Sequence, residues 1–280
     1  MSEDSGRISS LATTRDFLSA GTCSETLARA LDRALGHPAK LEERGISLNA
    51  GGIMRYGYQC GMIWGATLAA GAQAYRLYGA DAKAETAAIM AAQKLVESFR
   101  NQNHCINCSE ITNIDRSSST LQMIAFFLLK GGTIHCIRMA AKYARLAYDD
   151  INTVLAEKHP QTNSYPASCS AILAQKLGAT DKHIIMAAGF AGGIGLCGGG
   201  CGALGATLWI IGMRSAEEHD GKVNFNDPKA AEVIDRFMKS TDYEFECAKI
   251  TGRKFNGIDE HAEYIRSGGC REILDTLTSI

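Results

Sequence analysis

The apolar residues of this chain recur every three or four positions, which is the spacing of an amphipathic helix. One such face carries Leu27, Leu31 and Ala34, after a start at Thr22 and before a stop at Gly36. Similar patterns predict helices at about 62–78, 82–100, 119–129 and 133–156. We therefore predict an all-α fold, in which the first 20 residues form a frayed lead-in.

The second half of the chain repeats the motifs of the first half in the same order. Ala-Gly-Gly-Ile occurs at 50–53 and again at 191–194, and Cys-x-x-Ile-Thr occurs at 108–112 and 247–251. A Cys-Gly pair followed by Gly-Ala-Thr-Leu spans 60–68 in one half and 201–208 in the other. We predict two homologous helical, cysteine-rich repeats, residues 1–158 and 165–280, packed together through their glycine-rich helices.

The repeat also organises the ten cysteines, because each half carries five of them and four match in order. The matched cysteines are Cys23, Cys60, Cys108 and Cys136 in the first half, and Cys169, Cys201, Cys247 and Cys270 in the second. The fifth cysteine differs, being Cys105 in one half and Cys197 in the other. A cysteine that only fills a core is interchangeable with alanine or valine, so the retention of four predicts a functional role.

The stretch around Cys201 shows what that role requires. Gly198 to Gly200 cannot hold a helix, whereas the apolar residues after Cys201 can. The cysteine is therefore predicted at the start of a helix, where unpaired N–H groups and the helix dipole favour thiolate.

Residues 184–213 are apolar enough to pass as a membrane span, but their counterpart contains Arg55 and Gln59, so we predict that they are buried in protein.

Composition narrows the function classes. The net charge is −1, with 46% hydrophobic and 21% charged residues, so nothing indicates a nucleic-acid partner or an anionic membrane surface. The N-terminal residues are polar and lack the apolar core of a signal peptide, which predicts a cytoplasmic protein. Cytoplasmic thiols stay reduced, so the cysteines are expected to serve metal binding or redox chemistry.

The matched cysteines carry a resemblance. Cys169, then Gly200-Cys201-Gly202-Ala203-Leu204-Gly205, then Cys247 and Cys270 resemble the C-GCAxxG-C-C family of redox-active proteins, related to the helical split-Soret cytochromes. The resemblance covers both halves and implies electron transfer or thiol redox work. The second half departs from the motif at Gly202, where the family has alanine, and no Cys-x-x-Cys-His supports c-type haem attachment.

The first half departs further, because Cys60 precedes Gly65 by five residues rather than four. One extra residue at a helix start would rotate the cysteine by about 100° relative to the helix face. We therefore expect Cys201→Ala to remove more bound metal than Cys60→Ala.

Three chemistries remain open for four thiolates per half. They can ligate an iron–sulfur cluster, most simply of the 4Fe-4S type, hold one tetrahedral zinc, or form metal-free dithiol couples. The glycine-rich surroundings favour a cluster, because backbone N–H groups can approach its sulfides. Cys105 and Cys197 are predicted as spare metal ligands or resolving thiols, and the metal-free alternative pairs Cys60 with Cys105 or Cys108 and Cys197 with Cys201. The expected partners are a redox protein and further copies of this chain.

Overall fold

The computed structural model describes residues 8–129, 131–157 and 167–279. These residues form helices joined by turns, with two isolated β-bridges and no β-strand among them. The predicted all-α class is confirmed. The segment between the two predicted repeats, residues 159–164, lies outside the described residues.

The helices follow the same general order in the two halves. The first half contains α1 (Ser10–Ala20), α2 (Cys23–Ala34), α3 (Lys40–Gly45), α4 (Gly61–Tyr78), α5 (Ala82–Asn103), α6 (Cys108–Thr112), α7 (Thr120–Ile124) and α8 (Gly132–Ala156). The second half contains α9 (Cys169–Lys176), α10 (Asp181–Ala188), α11 (Gly202–Glu218), α12 (Pro228–Ser240), α13 (Cys247–Ile250), α14 (Ile258–Arg266) and α15 (Arg271–Thr278). A 3₁₀ turn, Ile46–Asn49, follows α3, and a π-helical turn, Ala125–Leu129, follows α7.

The prediction that the first 20 residues form a frayed lead-in is wrong for residues 10–20. Residues 10–20 form the regular helix α1, which Ser9 caps by accepting the N–H of Ala12 and which packs on α2 and α8. Its apolar residues are sparse, and Leu11 and Leu18 remain exposed. The periodicity was therefore too weak to reveal a helix that is held by its cap and by tertiary contacts.

The glycine-rich helices α4 and α11 form the centre of one core that the two halves share. Trp64 on α4 and Trp209 on α11 are fully buried. The apolar stretch 184–213 divides into α10, a turn and α11, and nearly all of it is buried in protein as predicted. No single helix in the described ranges is long and apolar enough to cross a bilayer, although the bent pair Thr120–Phe127 and Gly132–Leu155 meets the length and composition required.

Equivalent residues of α4 and α11 meet near the starts of the two helices, so the halves are related by an approximate two-fold axis. Trp64 lies four residues after Cys60 and Gly205 lies four residues after Cys201, and the indole of Trp64 packs directly on Gly205. Away from this axis the contacts come in matched pairs, Gly71 on Met186 and Gly212 on Gly45. The glycine-rich helices do lie at the contact between the halves, but α4 packs mainly on α10 and α11 mainly on α3, rather than face to face as predicted.

A double-mutant cycle tests this fit. A side chain at Gly205 would overlap the Trp64 ring, so we expect Gly205→Leu to lower the free energy of unfolding by about 1–3 kcal/mol. In a Trp64→Ala background the same change should cost much less, since it fills the space left by the indole. Urea denaturation of the four proteins measures the coupling. Additive losses would show that the two residues do not interact.

A buried charged cluster also joins the halves. The carboxylate of Glu42 accepts hydrogen bonds from Lys182 at 2.6 Å and from His183 at 3.2 Å. Burial opposes ionisation of this carboxyl, but the two bonds lower its pKa to about 2. Nearby Asp32 is fully buried and neither of its carboxylate oxygens has a hydrogen-bond partner. Burial and the charges of Glu43 and Glu42 raise the pKa of Asp32 well above its ordinary 3.8.

The raised pKa of Asp32 determines whether this residue makes the protein more or less stable as pH rises. The folded protein holds this proton more tightly than the unfolded chain, so stability is complete below the unfolded pKa of 3.8 and is lost as pH rises through the folded pKa. Asp32→Asn removes this titration. We expect its urea midpoint to exceed that of the wild type at neutral pH, with the difference shrinking in acid. The exposed Asp220→Asn is the control, and an Asp32→Asn protein less stable than wild type at neutral pH would contradict the assignment.

Candidate redox site

The cysteines are organised by a left-handed turn that occurs once in each half. Five consecutive residues have positive φ, at 51–55 and at 192–196. Each non-glycine residue there costs about 1–2 kcal/mol. Glycine is needed at 52 and 193, because φ is positive and a side chain would overlap the backbone of Tyr58 or Gly199. The glycine-rich loop of each half is thus a defined left-handed turn.

The segment after this turn pairs with the chain before the third cysteine of each half. Cys60 N–H donates to Ile106 at 2.7 Å and Cys108 N–H donates to Tyr58 at 2.8 Å. The second half repeats both bonds, from Cys201 to Phe245 at 2.8 Å and from Cys247 to Gly199 at 2.6 Å. These backbone bonds, which are the two β-bridges, bring the second and third cysteines of each half together.

In the first half the four matched cysteines converge. The Sγ of Cys23 lies over Gly61, at the N-terminus of α4, and it shares a hydrogen bond with the thiol of Cys60. The charge of Cys108 acts on Cys60, and Cys136 interacts electrostatically with both Cys23 and Cys108. All four thiols therefore belong to one group.

In the second half the convergence is complete. Each of the six pairs among Cys169, Cys201, Cys247 and Cys270 interacts electrostatically. The four side chains line a cavity of about 20 Å³ with the buried residues Phe255 and His261. Burial lowers the pKa of His261 to about 4, so its imidazole is neutral at physiological pH. The four matched cysteines thus meet within each half rather than between the halves.

Backbone N–H groups and helix ends surround the sulfurs. Cys60 and Cys201 are the N-cap residues of α4 and α11, and Cys23 and Cys169 are the first residues of α2 and α9. The N–H of Gly51 hydrogen-bonds the thiol of Cys23, and Gly192 does the same for Cys169. Both glycines begin the left-handed turns. The left-handed backbone therefore places N–H groups where they would stabilise the thiolate form of these cysteines.

Burial makes these thiols costly to ionise one by one. It raises the pKa of Cys108, Cys136 and Cys270 to about 12 each, and it raises those of Cys169, Cys201 and Cys247. Cys23 is different. The hydrogen bond from Cys60 lowers the pKa of Cys23 to about 7, and the same bond together with burial raises the pKa of Cys60 well above 9.0.

Cys105 and Cys197 lie outside both groups. The thiol of Cys105 donates to the carbonyl of Asn103, and its electrostatic neighbour is Glu110. The thiol of Cys197 donates to the carbonyl of Gly195 and lines a surface groove beside Arg100. The pairings predicted for a metal-free protein through Cys105 and Cys197 are therefore not the contacts in the structure, where the close pair is Cys23 with Cys60. The spacing of cysteines along the chain gave no information about which α-helix ends meet.

The expected rotation of Cys60 is also absent. Cys60 and Cys201 occupy the same N-cap position, and the loops before them are in register with the same backbone bonds. No residue is inserted in α4, because the matched Gly71 and Gly212 both lie 11 residues after the cysteine. Gly65 packs against Ser24, whereas Gly205 packs against Trp64. The two glycines are therefore not equivalent, and the geometric reason for unequal halves disappears. The fourth cysteines do differ, because Cys270 caps α15 whereas Cys136 lies one turn inside α8.

Three site residues were missed from the sequence. Thr112 and Thr251 stand four residues after the third cysteines, and each hydroxyl interacts with that thiol. The repeated Cys-x-x-Ile-Thr motif contains this signal. His261 has no such signal in the sequence, because it belongs to none of the repeated motifs.

Comparison with known protein families matches residues 22–149 and 167–280 to the family described as "Putative redox-active protein (C_GCAxxG_C_C)". The chain belongs to this family. The two matches confirm the duplication and place one family unit on each set of four cysteines. No match was found among curated proteins or among solved structures.

The C_GCAxxG_C_C cysteines fit a metal cofactor in the number and kind of their donor atoms, but not in the space between their side chains. As the side chains stand, no three His, Cys, Asp or Glu residues in the described ranges are arranged to hold one metal ion. The donor set in each half nevertheless fits an iron–sulfur cluster in number and element, and N–H donors offset negative charge on sulfur. The cavity of about 20 Å³ has room for about one water molecule. A cluster therefore requires the four helix ends to move apart.

The close Cys23–Cys60 contact makes the two units of this family member distinguishable. In reduced, metal-free protein we expect one thiol to ionise as pH rises through about 7, because Cys60 donates to the Cys23 thiolate. Ultraviolet thiolate absorbance measures this titration, which Cys23→Ser should remove. The equivalent Cys169→Ser is the matched control and should leave it unchanged. Loss of the titration in both variants, or in neither, would contradict the assignment.

Proposed function

We propose that the protein is an electron-transfer or redox-sensing protein in which each half binds an iron–sulfur cluster. The proposed ligands are Cys23, Cys60, Cys108 and Cys136 in one half, and Cys169, Cys201, Cys247 and Cys270 in the other. The observation that carries the proposal is that all four thiols of the second half line one small cavity.

The surroundings of the thiols favour a cluster over a single zinc ion. Glycines directly precede or follow Cys60 and Cys201. They let backbone N–H groups approach the sulfides of a cluster and stabilise negative charge, from which zinc gains less.

The protein's own contribution is to stabilise the negative charge of the buried thiolates. When bound, an iron–sulfur cluster supplies one-electron chemistry. The N–H groups of Gly51 and Gly192 and the N-termini of α4 and α11 offset the charge on the thiolates. Phe255 and His261 cover the second site and limit access of water to it.

Metal content after purification and reconstitution without oxygen tests the proposal. We expect iron and sulfide in the wild type, and about half the iron in Cys108→Ala or Cys247→Ala, because each variant loses one of two sites. Cys105→Ala and Cys197→Ala are the matched controls and should keep full iron. Since Cys60 and Cys201 occupy equivalent positions, their alanine variants should lose iron equally.

Two outcomes would overturn this proposal. A colourless protein that binds no iron would exclude clusters, and zinc at one ion per half would indicate a structural metal site. Equal iron loss in the Cys197→Ala control would mean that the assigned groups are not the ligands.

A metal-free thiol–disulfide function is the second candidate, and the Cys23–Cys60 hydrogen bond favours it. Here both thiols give up their protons and together two electrons to a disulfide oxidant, and a Cys23–Cys60 disulfide forms. Mild oxidation of iron-free protein followed by mass spectrometry tests this. A reversible Cys23–Cys60 disulfide supports the candidate, whereas a first-half pairing through Cys105 contradicts it.

A further inference from the structure

Exposed apolar side chains concentrate between the third and fourth cysteines of the first half. Of the nine large hydrophobic side chains that are exposed in the described ranges, five lie within residues 121–134. They are Leu121, Ile124, Phe127, Leu129 and Ile134. α7 packs chiefly on the π-helical turn, and that turn packs chiefly on α8. The apolar segment, residues 120–134, is therefore joined to the core mainly through α8 and presents its large side chains to solvent.

The equivalent segment of the second half is buried instead. It lies between Thr251 and Cys270, where Phe255 and His261 are buried against the second group of cysteines. None of the nine exposed hydrophobic side chains lies within residues 252–269. The repeated fold therefore does not require this segment to be exposed, and its exposure is particular to the first half. An exposed cluster of apolar side chains of this kind marks an interaction surface.

The charge around the apolar segment differs from that of the whole chain. Residues 116–148 contain no Asp or Glu, although the net charge of the protein is −1. The basic residues of this stretch are Arg116, Lys130, Arg138, Lys142 and Arg145. Residues 252–269 of the second half, in contrast, hold three basic and three acidic residues. The near-neutral total therefore conceals one cationic region, and this region contains the exposed apolar side chains.

Apolar and basic side chains share one face of α8. Ile134, Arg138 and Lys142 are exposed and lie four residues apart, so they form a row along the helix. Arg138 lies about 6 Å and Lys142 about 12 Å beyond Ile134 along the axis. The other face of α8, which includes Tyr143 and Ala147, belongs to the core. The apolar segment can therefore lie on a membrane surface, but α8 cannot cross a bilayer while it remains packed in the protein.

We infer that the apolar segment is a membrane-docking surface whose partner is a bilayer containing anionic lipid. Interfacial segments of proteins bury apolar side chains about 5–10 Å deep, while their basic residues meet the lipid phosphates. Leu121, Phe127 and Leu129 enter the bilayer in this arrangement, and Arg138 and Lys142 follow at the level of the headgroups.

Charge favours a membrane over a second copy of this chain. An isologous interface would oppose the apolar segment to itself and bring two rows of like charge together. The inference goes beyond the proposed function and does not depend on it, because it holds whatever the cysteines bind. Since Cys136 lies between Ile134 and Arg138, docking would bring the first group of cysteines beside the membrane surface.

Co-sedimentation with lipid vesicles tests the charge requirement. We expect the protein to bind vesicles of equal parts phosphatidylglycerol and phosphatidylcholine, and to bind pure phosphatidylcholine much more weakly. Arg138→Gln and Lys142→Gln should each weaken binding to the anionic vesicles about five-fold, the effect of one cation at such a surface. Rising ionic strength should weaken wild-type binding as well. Equal binding to both kinds of vesicle, or binding to neither, would overturn the inference.

A pair of double variants tests the apolar contact. Leu121→Ser with Leu129→Ser should reduce binding to the anionic vesicles about ten-fold, because two exposed leucines no longer enter the bilayer. Leu11→Ser with Leu18→Ser is the matched control, since these leucines of α1 are 82% and 70% exposed and lie outside the apolar segment. The control should bind as the wild type does, and both variants should keep wild-type helicity and iron content.

Two results with these variants would overturn the inference. Equal loss of binding in the control would indicate unspecific adsorption of exposed leucines. A wild-type dimer that forms without lipid and is lost in the Leu121→Ser, Leu129→Ser protein would assign the apolar segment to a second copy of the chain. Neither result concerns iron content, so the proposed function is judged separately.

Discussion

The packing of the glycine-rich helices α4 and α11 on the opposite half, α4 on α10 and α11 on α3, is the contact on which the remaining structure depends. Both helices begin directly after a cysteine, and both are buried along most of their length. Trp64 of α4 lies on Gly205 of α11. This contact places the N-terminal turns of both helices, which follow Cys60 and Cys201, near the approximate two-fold axis.

The left-handed turns show how the chain reaches such an arrangement. A continuous helix through residues 51–55 or 192–196 would carry Cys60 and Cys201 past the other thiols. Reversing the hand of the backbone turns the chain back and aims an N–H at the first cysteine. Non-glycine residues such as Ile53 and Ile194 accept this conformation because six matched backbone hydrogen bonds hold the loop around them. Local backbone strain at these residues is thus coupled to the assembly of the two sets of four cysteines.

The sequence was sufficient for the features that repeat or recur with a helical period. The duplication, the all-α class and the four cysteines of each half were accessible because two copies of one pattern can be compared. What escaped prediction depends on tertiary contact. Gly205 appeared to be the copy of Gly65, yet it is the partner of Trp64. In the same way His261 and the Cys23–Cys60 contact involve residues that only the packed helices bring together.

The complementarity at the axis has an evolutionary meaning. An ancestral dimer of identical units must place each axial residue against its own copy, which limits the size of side chain that fits there. Two copies within one chain are free of that restriction, and here one carries the large Trp64 and the other the glycine that receives it. Two first units would now oppose indole to indole, and two second units would leave a void between bare glycines. The two halves are therefore complementary at this position, and each fits the other better than it would fit a second copy of itself.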